Sequence, residues 1–353
     1  MTAALSNDGH SITISNPFDD SVCAELELSS RPAAFEALSA AHKRFQTNSQ
    51  TPTLFSRRKT LEDLYGALKP RAEELAQLAT AEGGKPISDS RTEVQRGLEG
   101  IQTAIQLVCN RAGKIIPMGH TKGSHAHLAH TVQEPRGVVL GIAAFNHPFN
   151  QIIHQVVPAI AAGCPILIKP SLDTPLSCLQ IVEALRSIGL EEDQCMTILC
   201  NNSTTAELAA DGRVSLVNFV GSATVGWAIR SRLAVGSDCV LEHGGAAPAI
   251  IDKGYPLDKC IPPVVRAAFY HAGQVCISAQ RIYVHRTEFD RFLQEFVREA
   301  SCAGVGNPRL ESTLVGPLIR SQELERIQDW VNEARRLGAS VAMGGQGAGG
   351  SVY

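Results

Sequence analysis

The sequence predicts an α/β protein built on a doubly wound parallel sheet, followed by a second α/β region. Three observations predict it. From Arg136 onward, short β-branched or apolar runs alternate with amphipathic helices at the spacing of strand–helix–strand units. Leu216 to Gly226 reads as strand, Gly-containing turn and helix start, a geometry in which backbone N–H groups and the helix dipole meet a pyrophosphate. The 353 residues, 44% of them hydrophobic, can fill the cores of about two domains.

The elements follow in order. Leu54, Leu61, Leu64, Tyr65 and Leu68 repeat at helical spacing, and the first third is mostly helical. Pro70 fits the first turn of a second helix carrying Leu75 and Leu78, and a third runs from Arg91 to Cys109. Gly83-Gly84-Lys85-Pro86 punctuates the gap before it. Strands are expected at Val138–Ala143, Pro165–Ile168, Met196–Leu199, Leu216–Val220 and Cys239–Leu241. Helices follow most of them at Phe149–Ala162, Leu176–Ile188, Ser203–Ala210 and Thr224–Leu233. A second series begins after Gly245: strand Ala249–Ile251, helix Leu257–Tyr270, strand Arg281–His285, helices Thr287–Ala300 and Ser321–Leu337, and a short strand near Ala339–Ala342. Gly344 to Gly350 reads as a loop.

Composition narrows the class. A net charge of -3 gives no reason to expect nucleic acid or an acidic membrane as partner. Met1 to Ser15 lacks the apolar run of a secretory signal, and Val156 to Ile168, interrupted by Pro158, Gly163 and Pro165, is too short to span a bilayer. The ten cysteines form no CxxC pair and sit mostly in apolar contexts, as reduced thiols do. A soluble cytoplasmic protein is expected.

Three segments carry chemistry. Cys276, after the Gly273-Gln274 turn and between a helix and a strand, suits a nucleophile whose turn or helix N-terminus would lower its pKa. Glu242 ends an apolar strand and precedes Gly244-Gly245; partial desolvation at such a place would suit a general base. One strand–helix unit separates the two, which can return both to the same edge of a cleft. Asn146, just past a strand and near Pro148, offers a neutral amide donor to a developing oxyanion. Two further segments bear on a cofactor: the Gly221-Ser222 turn, which is not the GxGxxG fingerprint, and Lys169 at a strand's C-terminal end, suited to ribose hydroxyls or a phosphate.

His120, His125, His127 and His130 crowd one segment, and alternation in a hairpin would put His125 and His127 on one face. No cysteine or carboxylate accompanies them, and a structural metal site normally needs four ligands. An exposed two-stranded arm without metal is the expectation.

In this order, Gly141-Ile142-Ala143-Ala144-Phe145-Asn146-His147-Pro148, Leu241-Glu242-His243-Gly244-Gly245 and His271-Ala272-Gly273-Gln274-Val275-Cys276 resemble the NAD(P)-dependent aldehyde dehydrogenase superfamily. Further matching stretches are Glu82-Gly83-Gly84-Lys85-Pro86, Pro158 to Gly163, Val305 to Pro308 and Val315 to Ile319. The resemblance runs from Asn16-Pro17-Phe18 to the end. It implies a dinucleotide-binding domain of residues 1–118 and 138–242, an oligomerisation hairpin over 119–137 and a catalytic domain over 243–353. It also implies that Cys276 is the nucleophile, Glu242 the base for the deacylating water, and Asn146 with the Cys276 N–H the oxyanion hole. NAD or NADP contacts are implied at Phe145, Lys169, Ser171, Gly221, Ser222 and Gly226. The reaction would run through thiohemiacetal, hydride transfer, thioester and hydrolysis to the acid, in a homo-oligomer.

Several positions depart from the family pattern. Leu172 replaces a glutamate that accepts both ribose hydroxyls, which admits NADP because a repulsion against the 2′-phosphate is gone. Val220 stands where threonine is usual, and His243 and Ala246 replace an apolar residue and a lysine. His147 stands where many members have an aromatic residue and is a candidate contact for an anionic substrate. Family members continue beyond the position of Tyr353 with more strands of the catalytic domain. A fragment of a longer enzyme, or a shortened, catalytically impaired relative acting as a binding or assembly protein, is therefore the expectation to test. An acylating enzyme that passes the thioester to coenzyme A is less favoured, since Glu242 is present to activate water.

Overall fold

The computed structural model of the chain describes residues 4–5, 11–47, 52–110, 112–347 and 352. The first elements are β1 (Ala4–Leu5), β2 (Ser11–Ser15) and β3 (Val22–Glu27), one antiparallel sheet. Ile12 and Ile14 are buried between less buried neighbours, the period-two pattern of a half-covered strand. This sheet was not among the elements expected for the first third. Helix α1 (Arg31–Gln46) starts where Ser30 Oγ accepts from the Ala33 N–H and Pro32 occupies the first turn. The three expected helices are α2 (Leu54–Leu68), α3 (Ala72–Gly83) and α4 (Ile87–Cys109). Pro70 falls in a separate 3-10 turn, Lys69–Arg71, and not in α3 itself.

The arm is real but minimal: β4 (Ile115–Ile116) pairs antiparallel with β5 (Ala129–His130). His125 lies in the turn between them, its Nδ1 3.0 Å from the Lys122 carbonyl oxygen, and His127 precedes β5. The two therefore do not share a strand face, which corrects the alternation argument.

The main sheet follows as β6 (Val138–Ile142), α5 (Asn150–Ala162), β7 (Ile166–Lys169), α6 (Leu176–Ser187), β8 (Cys195–Thr197), α7 (Asn202–Ala209), β9 (Val214–Gly221), α8 (Ala223–Arg230) and β10 (Asp238–His243). Its order is β10-β9-β6-β7-β8, with every pairing parallel. The winding reverses between β6 and β9, the switch point at which such sheets open a crevice. Alternation divides the core. Val139, Ile166 and Ile168 pack under α2 to α6, whereas Val138, Leu140, Ile142 and Leu167 face α1, α7 and α8.

Beyond β10 lie β11 (Ala247–Ile251), α9 (Leu257–Phe269), β12 (Ala279–Val284), α10 (Phe289–Ser301) and α11 (Ser321–Arg336). β11 and β12 pair in parallel, and Ile251, Leu257, Ile261, Val265 and Phe292 form a separate core beneath them. The strand expected near Ala339–Ala342 is not formed. These residues are exposed, pair with no strand among the described residues, and begin by closing the end of α11, with the Ala339 N–H on the Ala334 carbonyl. Without a ladder partner an isolated extended segment has no hydrogen bonds to hold it. Residues 348–350 of the glycine-rich stretch lie outside the described residues.

Candidate active site

Parallel strands bring their C-terminal ends to one edge, and the candidate residues lie along it. Phe145 and Asn146 follow β6, Gly221 and Ser222 close β9, and Glu242 is the penultimate residue of β10, paired opposite Val220. β11 and α9 then return the chain to Cys276, in the turn before β12. A cleft of about 390 Å³ is lined by Phe145, Asn146, Gly221, Ser222, Glu242 and Cys276 together. Lys169, Ser171, Gly226 and His147 lie outside its lining.

The turn carrying Cys276 is conformationally costly. His271 (φ 48°) and Ala272 (φ 54°) hold left-handed backbone ahead of Gly273 (φ 73°). Each non-glycine residue there costs roughly 1–3 kcal/mol. Gln274 pins the turn: its Nε2 donates to the His271 and Pro317 carbonyls at 3.2 and 3.3 Å, and its Oε1 accepts from the Ile319 N–H at 2.9 Å. Cys276 itself is half-buried. Burial first, and then the charge and hydrogen bonding of Glu242, push its thiol above the ordinary cysteine value, against smaller lowering by the Cys276 and Ile277 backbone. The expectation of a lowered pKa is thus corrected, because burial and then a facing carboxylate both disfavour the thiolate.

Asn146 is held on all sides. Its Nδ2 donates to the Gln274 carbonyl at 2.8 Å, and its Oδ1 accepts from Gln151 Nε2 at 2.6 Å. The Lys85 ammonium donates to its backbone carbonyl at 2.8 Å. One Nδ2 hydrogen serves Gln274, which leaves an amide its second donor.

At the cofactor end, Ser222 caps α8 by accepting from the Val225 N–H at 3.4 Å, so the first turn of α8 opens toward the cleft's β9 edge. Lys169 ends β7 almost fully buried; burial lowers its ammonium pKa, with Cys200 and Asp173 acting the other way. Ser171 Oγ donates to Asp173 at 3.0 Å, and the Asp173 carboxylate also takes the Arg320 guanidinium on both oxygens. A buried cation and a capped helix start beside Gly221 suit a dinucleotide diphosphate and ribose. Gly226 has another task. A Cβ there would lie 2.1 Å from His243 Nε2, since the His243 ring packs over it and edge-on to Phe219 and Trp227. His243, for which the sequence offered no account, is thus a packing residue, its ring set against Gly226 and between Phe219 and Trp227.

Comparison with known proteins decides the family. The profile of the aldehyde dehydrogenase family matches residues 4–352. The chain belongs to the aldehyde dehydrogenase family. A similar curated relative is a 3-sulfolactaldehyde dehydrogenase from Priestia aryabhattai, 32% identical over 332 residues, which span 94% of this chain and 69% of the relative. Aldehyde dehydrogenase 21 from Physcomitrella patens, solved with its reaction product succinate, superimposes with a TM-score of 0.92 at 32% identity, over 99% of this chain and 73% of that one. A glyceraldehyde-3-phosphate dehydrogenase from Methanocaldococcus jannaschii, solved with NADP, gives a TM-score of 0.91 at 30% identity, over 97% of this chain and 74% of that one. Aldehyde oxidation with NAD(P) is accordingly the reaction of this aldehyde dehydrogenase, and nothing favours the alternative of a binding or assembly protein.

In this aldehyde dehydrogenase His147 stacks on Tyr270, its Nε2 3.5 Å from the phenol oxygen. Burial, then the charges of Lys85, Arg96 and His154, push its pKa down to about 2. His147 is a neutral ring near physiological pH, so the expected contact with an anionic substrate cannot be an ion pair from this residue. Sequence reasoning also passed over Gln151, Gln274 and the α11 residues Glu323, Arg326 and Ile327, which line the same cleft. Gln274 stood in the quoted motif but was read as part of a turn; α11 showed only its amphipathic period.

Proposed function

We propose that this aldehyde dehydrogenase oxidises an aldehyde bearing a remote anionic group, through a covalent adduct on Cys276. One observation carries the residue roles: the Cys276 thiol and the Glu242 carboxylate interact across a cleft that Asn146 also lines. The Cys276 thiolate, its proton given up to solvent, adds to the aldehyde carbonyl, and the oxygen that becomes negative is held by Asn146 Nδ2 and the Cys276 N–H. NAD(P), when bound, supplies the hydride acceptor. Glu242 then takes a proton from the water that hydrolyses the thioester, releasing the carboxylate product and restoring the thiol.

For the cofactor we assign Lys169 and Ser171 to the ribose end, and Gly221, Ser222 and Phe145 to the diphosphate and nicotinamide side. Residues 1–118 and 138–242 would form the dinucleotide-binding domain, with 119–137 as the oligomerisation arm and 243–353 as the catalytic region. The anionic substrate is supported by the names of relatives, which include a sulfonate-bearing aldehyde, a succinate product and a phosphate ester. A cytoplasmic homo-oligomer is part of the same reading; no described helix is long and apolar enough to cross a membrane.

The test is Glu242→Gln. It should release one burst of reduced cofactor and then turn over about 100-fold more slowly or worse, with the thioester visible as a mass increment on Cys276. Unchanged steady-state turnover would remove Glu242 from the mechanism.

A further inference from the structure

Beneath the Asn146 loop lies an ion pair that the reaction, as described, does not use. Lys85 and Glu93 are almost wholly buried, each about 1% exposed, and joined by a direct salt bridge. Lys85 comes from the turn between α3 and α4, and Glu93 from the second turn of α4. Their remaining bonds converge on one short stretch of backbone. The Lys85 ammonium donates to the Asn146 carbonyl at 2.8 Å, and Glu93 Oε1 accepts from the N–H groups of Phe149 and Asn150, both at 2.9 Å.

A buried pair of this kind is weak evidence for stability, because desolvating two charges offsets much of their attraction. Its partners here point to another use. Loop 146–149 is gripped at its carbonyl end by the cation and at its amide end by the anion, so its two ends are fixed against α4. The Asn146 side chain is separately tied to Gln274 and Gln151, and Gln274 stands two residues before Cys276. We propose that the Lys85–Glu93 pair is a positioning device that sets Asn146 as the oxyanion donor opposite Cys276. The Lys85 charge also reaches His147 and His271, which lie in the same loop and the same turn. A donor misplaced by even an ångström loses much of its value to a developing oxyanion, since such stabilisation depends on preorganised geometry.

This inference rests on the reading of Asn146 given above, and the experiment separates the two. The probe is p-nitrophenyl acetate: the Cys276 thiolate adds to the ester carbonyl, the tetrahedral oxyanion collapses, and nitrophenolate leaves. Iodoacetamide, which alkylates the same sulfur without any oxyanion, is the control. The full-length variant is Lys85→Met/Glu93→Gln, which removes both charges together while the glutamine carbonyl can still accept from Phe149 and Asn150. Its acylation rate should fall about 10- to 100-fold while its alkylation rate stays within about twofold of wild type. In an Asn146→Ala background, the same pair of substitutions should change acylation less than about twofold, because the group they position is gone.

Multiplying losses in the two backgrounds would overturn the positioning role, as would equal losses in acylation and alkylation. Asn146→Ala acylating like wild type would instead sink the oxyanion reading itself. Should the neutral pair fail to fold, Lys85→Arg keeps the charge, changes the donor geometry and runs the same cycle. Failure of both to fold assigns the pair to stability and overturns the proposal.

Discussion

Burial and the facing Glu242 carboxylate hold the Cys276 thiol above its ordinary pKa, so the residue proposed to serve deacylation also limits the thiolate. Removing the carboxylate charge leaves burial but cancels the repulsion. In Glu242→Gln the pH profile for iodoacetamide labelling of Cys276 should therefore move to lower pH. Peptide mapping by mass spectrometry checks this, with exposed Cys109 and Cys302 as references and buried Cys195, pushed up to about 12, as the inert extreme. An unmoved profile would mean that the carboxylate does not face the sulfur in solution. Leu172 sets a second expectation. It offers no acceptor to ribose hydroxyls, and the adjacent Asp173 is occupied by Arg320 and Ser171. NADP should bind at least as tightly as NAD in calorimetric titration; tenfold tighter NAD binding would count against this account.

At the scale of elements, Glu82 shows what a motif can hide. It opens the Glu82-Gly83-Gly84-Lys85-Pro86 stretch, of which only Gly83 to Pro86 was read, as punctuation. In the fold it is fully buried at the end of α3 and accepts from the Leu176 and Ser177 N–H groups at 2.6 and 3.0 Å, capping α6 across the core. Burial pushes its carboxyl up to about 7, against the lowering by Ser177 and Leu176. The folded chain then holds a proton that the unfolded chain releases near pH 4.5, so this contribution to stability is present below pH 4.5 and is lost as pH rises to about 7. Glu82→Gln cannot ionise. The melting temperature of Glu82→Gln relative to wild type should rise by several degrees between pH 5 and 7 and level off above, as differential scanning calorimetry would record. A difference that does not vary with pH would show that Glu82 is not protonated in the folded state. Legibility follows the range of each interaction. The short apolar or β-branched runs of β6, β7, β9 and β10, and the periods of α2 to α11, are local and were readable to within a few residues. Ile12 and Ile14 alternate just as openly, but a short strand set among helices was overlooked. Lys85 and Glu93 bond the backbone of Asn146, Phe149 and Asn150, and Gln274 that of Pro317 and Ile319, all far along the chain, and no periodicity reports it.

On the scale of the whole molecule, the unresolved balance is between an apolar arm and the water around it. Ile115, Leu128 and Val132 are 77%, 81% and 71% exposed on a hairpin whose two strands are only two residues each. An isolated hairpin of that size is marginal in water, and it has little buried surface of its own to hold it. Burying such side chains is worth about 1.5–3 kcal/mol each, so a neighbouring subunit that covers them would stabilise both the arm and the assembly. A lysine in that position must instead bring a charge into the contact. Leu128→Lys should shift size-exclusion elution toward a smaller species at equal protein concentration. Its far-UV circular dichroism should stay unchanged, because Leu128 packs against no core of its own chain. Ile115→Lys, on the opposite strand, should act in the same direction. If both variants elute as wild type, the arm does not hold subunits together, and its apolar face needs another explanation.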